Sequence, residues 1–502
     1  MDREVSELSV PVPWGEIRGQ VWGPDHGRPV LCLHGWADNC GTFNTLIPLL
    51  PKECRYVAVD LAGHGRSSHR PPGVFYSVPA YVADVQRVID ALHLHKFSII
   101  GHSMGADIAG MYSALYPEMV DALILLDGYG FLPTDLKEIS KVMRQGMDEM
   151  IQFEKITEEE RRVYTYEKAV ERLLAVNPTL SEQSAHILLE RGLVQVEGVK
   201  QAVSELSVPV PWGEIRGKVW GPDHGRPVLC LHGWADNCGT FNTLIPLLPK
   251  ECRYVAVDLA GHGRSSHRPP GVFYSFPAYV ADIRRVVDGL QWTKFSIIGH
   301  SMGGNVATLF SALFPEMVDT LILLDAYGFM PTDLKEISKV MRQGMDEMIQ
   351  FEKKTEEKKR VYTYEKAVER LLAANPTLSE QSAHILLERG LVQVEGGFVF
   401  SRDLRVNFKN IVRVTVEQSL EMQSMIQASV LVVLADKGFG APSSESNRQK
   451  ITSALLQGYR DRNHMVLTVT GDHHIHLNDP EVVAPLVSDF LRTTVLSRQL
   501  QA

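Results

Sequence analysis

The chain has 502 residues, 44% of them hydrophobic and 22% charged, an ordinary balance for a globular protein long enough to build more than one core. A net charge of −9 without a basic run argues against nucleic acid or an anionic membrane as the main partner, because both require a positive surface. No stretch approaches the roughly 20 consecutive apolar residues that span a bilayer.

The N-terminus, MDREVSELSV, lacks the basic start and apolar run of a secretory signal, so a cytoplasmic location is expected. The C-terminus, SRQLQA, is not the Ser-Lys-Leu ending of a peroxisomal address. Six cysteines in a reducing compartment are expected to be free thiols. They are three positions counted twice: Cys32, Cys40 and Cys54 recur as Cys230, Cys238 and Cys252. The cause is a long repeat. Val5–Gly198 returns without a gap as Val203–Gly396 with about two dozen substitutions, a period far too long for a solenoid unit and therefore a duplication of a domain-sized piece. Only VKQA separates the copies, and only the second continues through Gly397–Ala502. The expected division is 1–198 for a truncated copy and 199–502 for a complete one.

In chain order the second copy opens with LSVPVPW and IRGKVW, which read as an antiparallel hairpin. Apolar runs then alternate with helical patterns, as a mostly parallel sheet requires. The predicted strands are Pro227–Leu231, Tyr254–Asp258, Phe295–Gly299, Leu321–Asp325, Val430–Ala435 and Val466–Thr470. Helices are predicted at Ala278–Leu290 and Asn305–Leu313, and Pro331–Arg389 reads as several amphipathic helices inserted between two strands. Within that insertion the mixed-sign run EKKTEEKKR at Glu352–Arg360 is expected to be a solvated helix face.

FSIIGHSMG stands in both copies, at Phe97–Gly105 and Phe295–Gly303. Gly-x-Ser-x-Gly between a buried strand and a helix is the pattern of a nucleophile elbow, which makes Ser301 the candidate nucleophile of the second copy and Ser103 that of the first. Upstream, LHGWADN follows another strand, and the amides of Trp234 and Met302 are placed to form an oxyanion hole. His232 fits a loop-orienting role better than that of a base. A base is expected after the last strand, in TGDHHIHLNDP, where His473 follows the strand exit and His476 sits behind it. The cluster lacks the carboxylate or cysteine set that would argue for a metal, so none is expected. Two aspartates at strand ends, Asp325 and Asp436, compete for the acid that orients the base. The first copy keeps Ser103 and Asp127 but ends before any counterpart of His473, leaving Ser103 without a base and its sixth strand as a bare apolar edge open to self-association.

Together HGW, DLAGHGRSS, GHSMGG and GDHHIHLNDP resemble the α/β-hydrolase superfamily, and within it the serine hydrolase-like proteins, over essentially all of Ser204–Leu496. The resemblance implies an α/β fold with a mostly parallel eight-stranded sheet and a helical cap, about residues 328–410, inserted after the sixth strand. It implies Ser301 as nucleophile, His473 as base, Trp234 and Met302 as oxyanion donors, and no cofactor. Many relatives carry the acid where this chain has Gly438, and others just after the sixth strand, which ranks Asp325 slightly above Asp436. Relatives that open epoxides or displace halide carry an aspartate at the elbow. A serine there implies attack on a small-molecule ester, thioester or related acyl compound through an acyl-enzyme, in one working site. The rival reading is an inactive hydrolase fold serving as a binding or interaction module.

Overall fold

The computed structural model describes residues 5–154, 166–181, 184–185, 187–189, 206–221, 224–354, 360–439 and 446–496. The junction at 198–199, most of the charged run beyond residue 354, and the C-terminal SRQLQA lie outside them.

Two twisted sheets form. The first contains β1 (Val5–Val12), β2 (Gly15–Trp22), β3 (Arg28–Leu33), β4 (Cys54–Val59), β5 (Phe97–His102) and β6 (Val120–Leu126), in the order β1-β2-β4-β3-β5-β6. The second contains β7 (Ser207–Val210), β8 (Gly213–Trp220), β9 (Arg226–Leu231), β10 (Cys252–Val257), β11 (Phe295–His300) and β12 (Val318–Leu324) in the same order, and then adds β15 (Ser429–Ala435) and β16 (Met465–Val469) beside β12. The opening hairpin of each sheet is antiparallel, and in the second sheet β10, β9, β11, β12, β15 and β16 pair in parallel, each with the next. Parallel strands covered on both faces must be apolar throughout, which is why VLCL of β9 and LILL of β12 are completely buried. β13 (Leu391–Val394) and β14 (Gly397–Phe400) form a separate antiparallel hairpin just beyond Pro331–Arg389, within the span of about 328–410 expected to be a helical cap.

One sequence meets two environments here. In the second sheet, Leu321 and Ile322 of β12 are buried beneath the neighbouring β15. The equivalent Leu123 and Ile124 of β6 stand at a sheet edge, 39% and 44% exposed. Tyr129 goes from the 7% exposure of its counterpart Tyr327 to 90%. The apolar pattern is the same, so the exposure records only what the chain fails to supply beside it.

The other predicted strands fall within three residues of those observed. The helix after β11 begins at Met302 rather than Asn305, because the turn that carries Ser301 runs straight into it. Glu352 departs from the expected solvated face: its carboxylate receives the Nε and Nη of Arg87 at 2.9 and 2.6 Å. Among the described residues no helix is long and apolar enough to cross a membrane.

A buried ion pair fastens the inserted segment to the second sheet. Arg389, in the helix Glu380–Gly390, donates from Nε and Nη to one oxygen of Asp258 at 2.9 and 2.6 Å, and the amides of Cys238 and Arg264 donate to the same carboxylate. Burial pushes this carboxyl up, but Arg389 and the two amides outweigh it and hold the group below the usual range. Arg389→Met leaves Asp258 buried without its cation and should cost about 3–5 kcal/mol of unfolding free energy at neutral pH, read from urea melts. Because the folded carboxyl is depressed, the contribution is full above its unfolded value of about 4 and is lost as pH falls through the folded value. The gap between wild type and variant should therefore narrow in acid.

Candidate active site

The centre of the second sheet's C-terminal edge is set by backbone crowding at the elbow. β11 ends at His300, the helix Met302–Leu313 begins at once, and Ser301 between them has φ 51° and ψ −118°. Such a conformation costs on the order of 1–3 kcal/mol and persists only when its surroundings over-determine it. The Ser301 amide donates to the carbonyl of Leu324 at 3.2 Å, tying the turn to the end of β12. A Cβ on Gly303 would meet the Leu231 carbonyl oxygen at 2.1 Å, so only glycine lets the helix pass this close to β9. At Gly304 a Cβ would lie 2.5 Å from that of Ala326. The first copy reverses the pair: Ala106 carries the methyl, and Gly128 leaves the room for it, a Cβ there falling 2.3 Å from that of Ala106.

His473 reaches Ser301 from the loop after β16. Its Nε2 lies 3.0 Å from Ser301 Oγ, and its Nδ1 lies 2.5 Å from Asp325 Oδ2. The adjacent carboxylate assigns the proton to Nδ1 and leaves the Nε2 lone pair for the serine hydroxyl. Asp325, directly after β12, is 1% exposed, and the amides of Ala435 and Phe439 also donate to its carboxylate at 3.0 and 2.8 Å. A Cβ at Gly438 would fall 2.2 Å from Asp325 Oδ2. The place that carries the acid in many relatives is therefore bare here because Asp325 fills the space in front of it. Asp436 is exposed and points elsewhere: it accepts the amide of Gly471 at 2.9 Å and braces the loop before His473.

The three clustered histidines have separate partners. His474 faces Asp236 at 3.3 Å, and His476 Nε2 meets Thr240 Oγ1 at 2.9 Å. Burial alone would lower His474, but Asp236 raises it above the ordinary histidine value. Burial drives His476 down to about 3 and His300 well below the usual range, and a proton on a neighbouring histidine would repel one on either ring. Nε2 of the elbow's His300 hydrogen-bonds the carbonyl of His473 at 2.8 Å, so nucleophile and base share one support. Neither that bond nor the pairing of Asp236 with His474 was anticipated; the only sequence signal was the proximity of each residue to a motif.

On the other side of Ser301, a Cβ at Gly233 would lie 3.2 Å from the Cβ of Ser301, so the Gly233-Trp234 turn approaches the serine closely. Met302, as the first helical residue, has an amide with no intrahelical acceptor. The Trp234 indole donates to the carbonyl of Val406 at 3.0 Å, which ties this turn to the segment returning from the insertion. His232 is fully buried, with Nδ1 2.7 Å from the Gly233 carbonyl and Nε2 accepting the Leu259 amide, so both nitrogens serve the loop. In the first copy Ser103 repeats the elbow angles, yet Asp127 is exposed, and His34 and His64 are each held by backbone groups.

The alpha/beta hydrolase fold family model matches the chain twice, at residues 28–179 and 226–374. The chain is 56% identical over 299 residues to the serine hydrolase-like protein of Danio rerio, covering 59% of this chain and 90% of that one. It is 39% identical to serine hydrolase-like protein 2 of Homo sapiens, over 58% of this chain and 95% of that one. A crystal structure of a hypothetical protein from Pseudomonas aeruginosa PAO1 aligns with a TM-score of 0.51 at 31% identity, covering 57% of this chain and 98% of the other.

Proposed function

From the premise that this chain belongs to the alpha/beta hydrolase fold family, we propose that it is a serine hydrolase acting on an ester, thioester or related acyl substrate, with one working site in the second copy. The observation that carries the reading is the hydrogen-bonded line from Ser301 through His473 to Asp325. Ser301 Oγ attacks the acyl carbon while its proton passes to His473 Nε2. Asp325 holds the imidazole in the receptive tautomer and stabilises the imidazolium that forms. The amides of Trp234 and Met302 receive the developing oxyanion. His473 then gives its proton to the departing alcohol or thiol; water attacks the acyl-serine as His473 takes its proton, and that proton returns to Ser301 Oγ when the acyl–oxygen bond breaks and the carboxylic acid leaves.

The working unit in this reading is residues 199–502, with the inserted segment shaping the acyl pocket. Residues 1–198 form a truncated copy whose Ser103 lacks a base. Five of the six free cysteines, Cys32, Cys40, Cys230, Cys238 and Cys252, are buried, which fits a cytoplasmic setting. A fluorophosphonate probe on the folded full chain, followed by peptide mapping, should label Ser301 and leave Ser103 unmodified. An unlabelled Ser301 in a folded sample would instead favour a binding module built on a hydrolase fold.

A further inference from the structure

The two copies do not lie side by side as beads. The helix Ile139–Glu154, which follows β6, leaves its own sheet and buries Ile139 and Met147 in the apolar cluster of the second copy, together with Phe310 and Phe314. Its equivalent, Ile337–Lys353, does the reverse: Met341 and Met345 are buried in the first copy's cluster with Tyr112 and Tyr116. Each copy thus closes its core with a helix from the other.

The polar contacts obey the same reciprocity. Arg87 pairs with Glu352, and Arg285 pairs with Glu154; each residue is displaced by 198 from its counterpart in the other pair. Arg144 bonds Glu316 while its guanidinium lies 4.9 Å over Phe314, and Arg342 bonds Glu118 while its guanidinium lies 4.7 Å over Tyr116. Gly73 receives the hairpin turn at Trp212, and Gly271 receives the one at Trp14. In each of these pairs, when residue i of one copy touches residue j of the other, residue j of the first touches residue i of the second. Arg284–Asp148 and Tyr116–Asp346 depart from the pattern because residue 86 is glutamine and residue 314 phenylalanine. The reciprocity is the signature of a two-fold, self-complementary interface, which a tandem of unrelated domains has no reason to show.

We propose that this surface is a homodimer interface carried within one chain, its partner being a second copy of the same fold, and that the first copy occupies the second subunit's place. The work of the first copy is then structural and independent of Ser103: it supplies the helix that completes the second copy's core. The ion pairs Arg87–Glu352 and Arg285–Glu154 are largely shielded from solvent, and the exchanged methionines are buried, so the association does not depend on the peptide link between the copies.

A protease site replacing VKQA at 199–202 in the full chain tests this. After cleavage of the folded protein, size exclusion with light scattering should show both fragments in one species at the mass of the uncut chain, 56.1 kDa. Separation of the fragments under native conditions would overturn the proposal. Met147→Glu with Met345→Glu, checked for a wild-type circular dichroism spectrum before cleavage, should release the cut fragments from each other. Fragments of that variant that still travel together would show that the exchanged helices do not hold the copies, which would equally overturn it.

Discussion

Ser301→Ala is expected to lower kcat by on the order of 10⁶-fold, the scale on which a triad loses its nucleophile, while Ser103→Ala leaves turnover unchanged. The two serines share elbow angles and nearly all of their neighbours in sequence, so the contrast depends on the base. β15 pairs with β12 and not with β6, and the loop after β16 therefore delivers His473 to Ser301 alone. Initial rates on a chromogenic ester, measured for both variants, decide the matter. A comparable loss in Ser103→Ala would mean that the C-terminal strands exchange between copies or between chains, and the one-site reading would fail.

The second large effect distinguishes the two aspartates. Asp325→Asn should lower kcat by about 10⁴-fold with little change in KM, because an amide at that position no longer holds the proton on Nδ1 of His473. The asparagine oxygen can still accept an amide from Ala435 or Phe439, so the fold should persist. Asp436→Asn should stay within a few-fold of wild type, since an asparagine oxygen can also accept from Gly471. Reversed magnitudes would move the orienting role to Asp436, and small effects at both would leave His473 without a carboxylate partner.

How far the site was legible follows from which signals are local. The Gly-x-Ser-x-Gly elbow and the strand before it are set by neighbours in sequence, and Ser301 could be singled out from the chain alone. Asp325 and Asp436 each follow a strand directly, so spacing could not separate them. The difference lies in the carboxylate of Asp325 filling the space in front of Gly438, 113 residues away in the chain. Glu352 looked solvated because a mixed-charge pattern does not reveal Arg87, 265 residues upstream. The exchanged helices were hidden for a related reason: their apolar stripe is the same whether it faces its own sheet or the other copy's. The repeat itself was plain, because identity at a fixed offset needs no three-dimensional knowledge.

The glycine and alanine that trade places beneath the two elbows limit how the gene can rearrange. Long stretches of near identity invite unequal crossing-over, and many hybrid copies made that way would exchange residues of like kind, as Val85 and Ile283 or Ile108 and Val306 are. A crossover between the codons for 304 and 326 that joins Ala106 of the first copy to Ala326 of the second is different, because it places two methyl carbons about 2.5 Å apart, closer than non-bonded carbons can stand. The opposite product has neither methyl and leaves a void under the serine turn. The two copies are therefore free to drift or to be replaced as wholes, but over this interval they cannot be shuffled without cost to the elbow.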